Sequence, residues 1–350
     1  MLSTVFTLLG LAWTSSFLLG AVKLVKLYLV TPSNLHRYVY SSGGGGGDSS
    51  ARDQRKEIQK DPWAVVTGAS DGIGRFLAQE LAAAGFNVVL HGRNTTKLEK
   101  VQAELQRAHP ARSFRLLEAD AGLAADSGGD NDEGAQQLGL DVTAMVRNEL
   151  EVLHITGLVN NVGGGNRNPL MGDFLEYSPR QNTEAVSKES LFAIHLTHAL
   201  LPRFRKNRGG VALVISVGSM ADVGMPLTAT YSASKAFNKT LLETLALEDR
   251  LARMEGSREG GEVEIMYVRL GDVTEVSWRR GPASLLMPDA RTAARAILAR
   301  VGCGRSVVTA HWAHELFRLA FAGLLASLRE KLLLSIMRGW RAEQVTGSFK

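Results

Sequence analysis

A chain of 350 residues, 45% hydrophobic and 21% charged, is long enough for a large α/β domain with extensions and too polar for a transporter lying wholly in a bilayer. The net charge of +5 comes without the Lys/Arg block that nucleic acids require, so a DNA or RNA partner is excluded. The single cysteine, Cys303, excludes an internal disulfide and a cysteine-cluster zinc module, and suits a reducing compartment.

In chain order, Met1 to Val22 carry no charge and are rich in Leu, Phe, Val and Ala. As a helix this run would be about 33 Å long, enough to cross a hydrocarbon core of about 30 Å. Lys23 and Lys26 follow it and no basic residue precedes it. That pattern predicts an uncleaved transmembrane anchor over residues 1–30, with the downstream chain held in the cytosol. Ser41 to Ser50, reading SSGGGGGDSS, is a flexible spacer within a linker over 41–60. The globular domain is expected over 61–310.

From Asp61 short apolar runs alternate with longer amphipathic stretches. Strands are predicted at Trp63 to Thr67, Asn87 to Leu90, Phe114 to Ala119, Gly157 to Val159, Val211 to Ile215 and Glu262 to Val268. Helices are predicted at Arg75 to Ala84, Leu191 to Arg205, Tyr231 to Met254 and Ala290 to Val301. The alternation implies one Rossmann-like α/β domain, a doubly wound parallel sheet covered on both faces. The acidic, glycine-rich run from Asp126 to Glu133 is a solvated loop insertion.

The first strand runs straight into Thr67-Gly68-Ala69-Ser70-Asp71-Gly72-Ile73-Gly74 and then a helix. Gly68 permits a tight turn, and Gly72 and Gly74 let backbone approach a pyrophosphate and let the helix pack on the strand. The helix start offers unpaired N–H groups and a positive dipole end to phosphates, which makes Ser70, Asp71 and Ile73 candidate cofactor contacts as well. The second strand closes on Gly92-Arg93, where an acidic residue would hydrogen-bond the ribose of NAD. The Arg93 guanidinium can pair with a 2′-phosphate instead, so NADPH/NADP+ is the expected cofactor.

TGASDGIG, the later Asn160-Asn161-Val162-Gly163 and Tyr231-Ser232-Ala233-Ser234-Lys235 resemble the short-chain dehydrogenase/reductase superfamily over Asp61 to Thr309. More narrowly, DPWAVVTGASDGIG, GFNVVLHGRN, LVNNVG and TYSASKAF resemble the membrane-bound very-long-chain 3-oxoacyl-CoA reductases and their 17-beta-hydroxysteroid dehydrogenase relatives. The resemblance implies that Tyr231 donates a proton to a carbonyl and that Lys235 lowers the phenol pKa and holds the nicotinamide ribose. It implies a serine that hydrogen-bonds the carbonyl, but the family's position for it falls on Gly218. Ser219 and Ser216 are the candidates, and Ser219 is chosen on the Val-Gly-Ser arrangement. Asp120 would contact the adenine, Asn160 would stabilise the sheet and Asn161 would lie beside the adenosine ribose. Gly271, Val273 and Thr274 would lie beside the nicotinamide, although Leu270-Gly271-Asp272-Val273-Thr274 lacks the family's proline. The asparagine of the family's proton relay matches Glu189, so Glu189 or the nearby His195 would hold the relay water.

His311 and His314 lack the HExxH spacing, are read as a helix-surface pair, and give no reason to expect a metal. Residues 311–350 are apolar but interrupted by Arg318, Arg329, Lys331 and Arg338. They predict an amphipathic helix that lies on a membrane or caps the substrate pocket. The expected function is NADPH-dependent reduction of a long-chain 3-oxoacyl-CoA in fatty-acid elongation. The resemblance places it at the endoplasmic reticulum membrane, with its catalytic domain facing the cytosol and a homodimer or elongation-complex partners around it. The alternatives are a hydroxysteroid or other lipid-ketone reductase, and a catalytically weak, membrane-tethered dinucleotide-binding scaffold.

Overall fold

The strand β1, Trp63–Thr67, is buried almost throughout, as an aliphatic run in mid-sheet with both faces covered must be. The computed structural model describes residues 14–15, 18–39, 62–122, 139–164, 169–206, 210–256 and 260–346. Helix α1, Gly72–Ala83, begins where the Asp71 side chain accepts the Gly72 N–H at 2.8 Å, and it buries Leu77, Ala78, Leu81 and Ala82 along one stripe. Strand β2 (Asn87–Gly92), helix α2 (Thr95–Ala108, capped by Asn94), strand β3 (Phe114–Glu118) and strand β4 (Ile155–Asn160) follow. Helix α3 (Pro179–Val186) carries a Ser178–Gln181 capping box and leads through a π-helical turn, Ser187–Leu191, into α4 (Phe192–Lys206). Strand β5 (Val211–Val217), helix α5 (Ala229–Met254), strand β6 (Glu262–Arg269) and helix α6 (Ala290–Leu298) complete the expected alternation.

A further strand, β7 (Val307–Thr309), was not expected, because three residues are too few to show a period. All seven strands pair in parallel in the order β3-β2-β1-β4-β5-β6-β7. The order reverses between β1 and β4, which opens a crevice at their carboxyl ends. Alternate residues feed two cores. Val66, Leu77, Leu98 and Ile297 pack on one face of the sheet, and Val65, Phe192, Leu196 and Leu242 on the other.

The two ends of the chain depart from expectation. Among the described residues no helix is long and apolar enough to cross a membrane, so the transmembrane helix expected over 1–30 finds no support in the structure. Residues 1–13 of that run lie outside the described residues, as do the linker 41–60 and the acidic run 126–133. The part that follows the run packs on the body. Tyr28 Oη donates to the Thr309 carbonyl at 2.7 Å, Ser33 Oγ donates to the Leu298 carbonyl at 2.7 Å, and Arg300 donates to the Leu27 carbonyl. Leu27, Leu35, Tyr38 and Val39 are buried in the same core as α1 and α6. These side chains are apolar enough to bury on their own account, so the packed body includes them, upstream of the expected start at Asp61. The tail forms two helices instead of one, α7 (Trp312–Ala322) and α8 (Ala326–Thr346), separated at Gly323.

Candidate active site

A cleft of about 1340 Å³ lies along the carboxyl ends of β1, β2, β4 and β5. Gly68, Ser70, Asp71, Gly72 and Ile73 form one wall. Gly68 takes φ +67°, and a Cβ on Gly74 would run into the Gly68 carbonyl, so this turn closes only on glycine. Gly74 therefore lies beneath the turn and does not line the cleft. Asn161 ties the turn to β4: its N–H donates to Thr67 Oγ1 at 2.8 Å and its Nδ2 to the Thr67 carbonyl at 3.1 Å. Asn160 stays inside the body and donates to Thr197 Oγ1 at 3.0 Å.

At the β2 end of the cleft Arg93 is largely exposed and stands 3.6 Å from Asp120, with Lys97 close by. His91 sits beneath them, stacked on Phe192 at 4.8 Å, and burial pushes its imidazole pKa down to about 4 against the pull of Asp120. At the other end Val273 lines the cleft. Thr274, expected beside it, does not. It is fully buried, and its N–H donates to the Pro288 carbonyl at 3.0 Å, which turns the residue away into the loop.

The reactive groups gather where β5 ends. Tyr231 and Lys235 lie one turn apart on α5, with the Lys235 ammonium 5.5 Å from the Tyr231 ring centroid. Lys235 Nζ donates to the Val217 carbonyl at 3.3 Å and pairs with Glu189 Oε2 at 3.1 Å. Burial is the strongest single influence and would lower the lysine pKa, but the Glu189 carboxylate and the Tyr231 and Tyr267 phenols together outweigh it and raise it. Burial also raises the Tyr231 phenol. Lys235 and a hydrogen bond with Ser219 act against that rise, and Glu189 and Asp272 add to it.

The structure separates the two serines. Ser219 lines the cleft beside Tyr231, while Ser216 is buried in the sheet between β4 and β6 and lines neither the cleft nor the apolar cavity beside it. Gly218 could carry no side chain, because a Cβ there would overlap the Tyr267 ring, and the Tyr267 hydroxyl accepts the Ser219 N–H at 3.1 Å. His195 is not brought to the site. It packs against Gly139, whereas Glu189 reaches Lys235 from the buried π-helical turn.

His314 belongs to the site and was misread as half of a surface pair. It is 2% exposed, accepts the Gly271 N–H on Nδ1 at 3.0 Å, and lies 3.2 Å from the Leu286 carbonyl through Nε2. Accepting on Nδ1 fixes the neutral tautomer with its proton on Nε2. Burial pushes its pKa down to about 4. The first turn of α7 therefore pins the loop that follows β6. Among the described residues no group of three or more His, Cys, Asp or Glu could hold a metal.

A second cavity, of about 920 Å³, shares Ser219, Tyr231, Gly271 and Trp278 with the cleft. Its far wall is apolar and comes largely from the tail: Phe317, Phe321, Leu333, Ile336 and Trp340. Helix α8 is fastened over it. Gln344 exchanges hydrogen bonds with the Met171 backbone at 2.7 and 3.0 Å, Arg341 pairs with Glu176 at 2.6 Å, and Met337 is buried against Met171.

The polar cleft fits a dinucleotide in three respects. It has a glycine cradle that a Cβ would fill, a helix start that opens on it and suits phosphates, and a cation at each end, Arg93 and Lys235. The short chain dehydrogenase family profile matches residues 62–255. The very-long-chain 3-oxoacyl-CoA reductase of Pyricularia oryzae is 31% identical over 265 residues, covering 74% of this chain and 72% of that protein. The protein of the same description from Meyerozyma guilliermondii is 28% identical over 352 residues, covering 96% of this chain and 90% of its own. Among solved structures a 7beta-hydroxysteroid dehydrogenase superposes with a TM-score of 0.61 at 18% identity, covering 80% of this chain and 98% of its own. An alcohol dehydrogenase from the archaeon Thermococcus sibiricus, complexed with 5-hydroxy-NADP, gives 0.55 at 20% identity, covering 71% and 94%. At those identities the superpositions speak for the fold alone. The profile match, the relatives and the paired tyrosine and lysine over a dinucleotide cleft agree: the chain belongs to the short-chain dehydrogenase/reductase family and is an oxidoreductase that binds a nicotinamide dinucleotide.

Proposed function

We propose that this protein uses NADPH to reduce a long-chain 3-oxoacyl-CoA to the 3-hydroxyacyl-CoA, as in fatty-acid elongation. The observation that carries the reading is the meeting of two unlike cavities at Tyr231 and Ser219, one walled by the glycine turn with a cation at each end, the other largely apolar and covered by a helix. The names of the relatives supply the acyl-CoA class. Arg93 at the end of β2 supports the preference for a 2′-phosphate.

A bound NADPH supplies a hydride to the carbonyl carbon. Everything else falls to the chain. The Ser219 hydroxyl holds the carbonyl oxygen and orients it toward Tyr231. The Tyr231 hydroxyl gives that oxygen its proton as the new C–H bond forms, which leaves a phenolate opposite the Lys235 ammonium. Lys235, fixed by Glu189 and the Val217 carbonyl, holds the nicotinamide ribose and stabilises that phenolate. Phe317, Phe321, Leu333 and Trp340 exclude water from the acyl chain.

The exposed Leu316, Leu319, Leu325 and Leu328 of the tail support a membrane-facing surface. The hydrogen bond from Tyr28 to Thr309, just before α7, ties the segment that follows the apolar N-terminal run to the start of the tail. With Lys23 and Lys26 beyond that run, the reading extends to the endoplasmic reticulum membrane with the catalytic domain in the cytosol. Membranes carrying the protein should oxidise NADPH when given a long-chain 3-oxoacyl-CoA and accumulate the 3-hydroxyacyl-CoA, and membranes carrying Tyr231→Phe should not. Turnover of steroid ketones alone would replace the acyl-CoA class, and nucleotide binding without any turnover would leave a scaffold.

A further inference from the structure

The family's relay position holds an acid in this chain, and the structure shows where that acid goes. Glu189 lies in the π-helical turn Ser187–Leu191, whose wider winding turns Ser187, Glu189 and Ser190 all inward. Asn238 of α5 donates to the Glu189 carbonyl at 2.6 Å and fixes the turn. Glu189 Oε2 then meets Lys235 Nζ at 3.1 Å, with 6% of the lysine side chain and none of the glutamate side chain exposed. Lys235 lines the cofactor cleft, and Glu189 stands behind it. A Cβ on Gly163, which lines the cleft, would come 2.8 Å from Glu189 Oε2 and 3.2 Å from Lys235 Nζ.

We propose that Glu189 is a positioning residue which locks the Lys235 ammonium in place and, by its negative charge, keeps Tyr231 in the protonated form that donates to the substrate. The inference rests on the reading of Tyr231 as proton donor. A buried ammonium beside a phenol pulls it toward phenolate, and the pull is strong where water is excluded. With a neutral amide at position 189 the pair would carry a full positive charge; with glutamate it carries none.

The other groups facing Tyr231 do not duplicate this effect. Asp272, in the loop after β6, is itself held by Arg279 at 2.5 Å. Asp222, after β5, is paired with Arg269 at 2.6 Å. Tyr267 of β6 is a phenol that burial keeps neutral, and Ser219 is a neutral hydrogen-bond partner. Among these groups Glu189 is the carboxylate in contact with Lys235, so the charge that Tyr231 feels from the lysine depends on it.

The test reads Tyr231 directly, without cofactor or substrate. Tyrosinate absorbance of the free protein, titrated up to about pH 11 and corrected by the same titration of Tyr231→Phe, isolates this one phenol. Glu189→Gln should move its titration to lower pH, giving several-fold to about tenfold more phenolate at a given pH on the rising limb. Glu189→Asp, which keeps the charge, should stay with the wild type. In turnover, the alkaline fall of kcat/KM for reduction should come at lower pH in Glu189→Gln. Thermal melting identifies a variant that has not folded, and Glu189→Asn then takes its place. Coincident tyrosinate titrations in the wild type and a folded amide variant would overturn the proposal. If the wild type reduces no 3-oxoacyl-CoA, the substrate reading fails, and the absorbance titration still decides the role of Glu189.

Discussion

The two cavities that meet at Tyr231 are built in opposite ways. The nucleotide cleft is made of turns at the ends of parallel strands, where backbone geometry dictates the residue type at each point. Gly68 must adopt positive φ, and Gly74 has no room for a Cβ. The far wall of the apolar cavity is made of side chains from α7 and α8, remote in sequence from β1 and held over the site by contacts such as Gln344 with Met171 and Arg341 with Glu176. Many apolar residues of suitable size would line it equally well. A site built from backbone writes itself into the sequence, and a site lined by side chains needs only hydrophobicity and volume.

That contrast can be tested by perturbing the junction and then each side. The largest effect should come at the junction: Tyr231→Phe is expected to lower kcat by about 10²–10⁴-fold, the usual size of a general-acid contribution, with NADPH affinity nearly unchanged in a fluorescence titration. On the polar side, Arg93→Ala should cut the preference for NADPH over NADH by about 10- to 100-fold, the size of a charge-assisted hydrogen bond, and leave the KM for the ketone alone. On the apolar side, Leu333→Ala with Trp340→Ala should raise the KM for long-chain substrates by about tenfold or more and spare short ones, since both side chains are half-buried and contribute less than the roughly 1.5–3 kcal/mol of a fully buried one. A change in cofactor preference from that double variant would break the division between the two sides.

The smallest effect is one of pH on stability, and each side contributes one histidine to it. Burial depresses the pKa of His91 and of His314 to about 4 in the folded chain. Unfolding restores about 6.5, so below that value the unfolded chain binds more protons. The stability these neutral rings supply is therefore complete above about pH 6.5 and is lost progressively as pH falls toward about 4. Melting temperatures should drop between about pH 7 and pH 5, and His91→Asn and His314→Asn should each flatten part of that slope. An unchanged slope in His314→Asn would mean that the loop after β6 is not fixed by the neutral ring.

The same contrast explains what could be read in advance. Six strands and the phosphate turn were legible because period and turn chemistry constrain them locally, whereas Tyr231 and Lys235 stood out only through the family motif they resemble. What escaped depended on long-range packing. Thr274 is turned away from the cleft by its bond to Pro288, a partner outside its own motif. That Gly218 leaves no room for a side chain depends on the Tyr267 ring from another strand. His314 is captured by a backbone N–H at Gly271 that no spacing rule connects with it. Tyr38 hydrogen-bonds Glu264 across the body, a contact that the glycine-rich spacer gave no reason to expect.

The central claim is that a hydride from the cleft and a proton from Tyr231 meet on one lipid ketone. Isotope transfer tests it most directly. Wild-type membranes given a long-chain 3-oxoacyl-CoA and NADPH deuterated at the transferring position should yield 3-hydroxyacyl-CoA with one deuterium on the former carbonyl carbon, and Tyr231→Phe membranes should yield almost none. Unlabelled product, or equal labelled product from both proteins, would contradict the account.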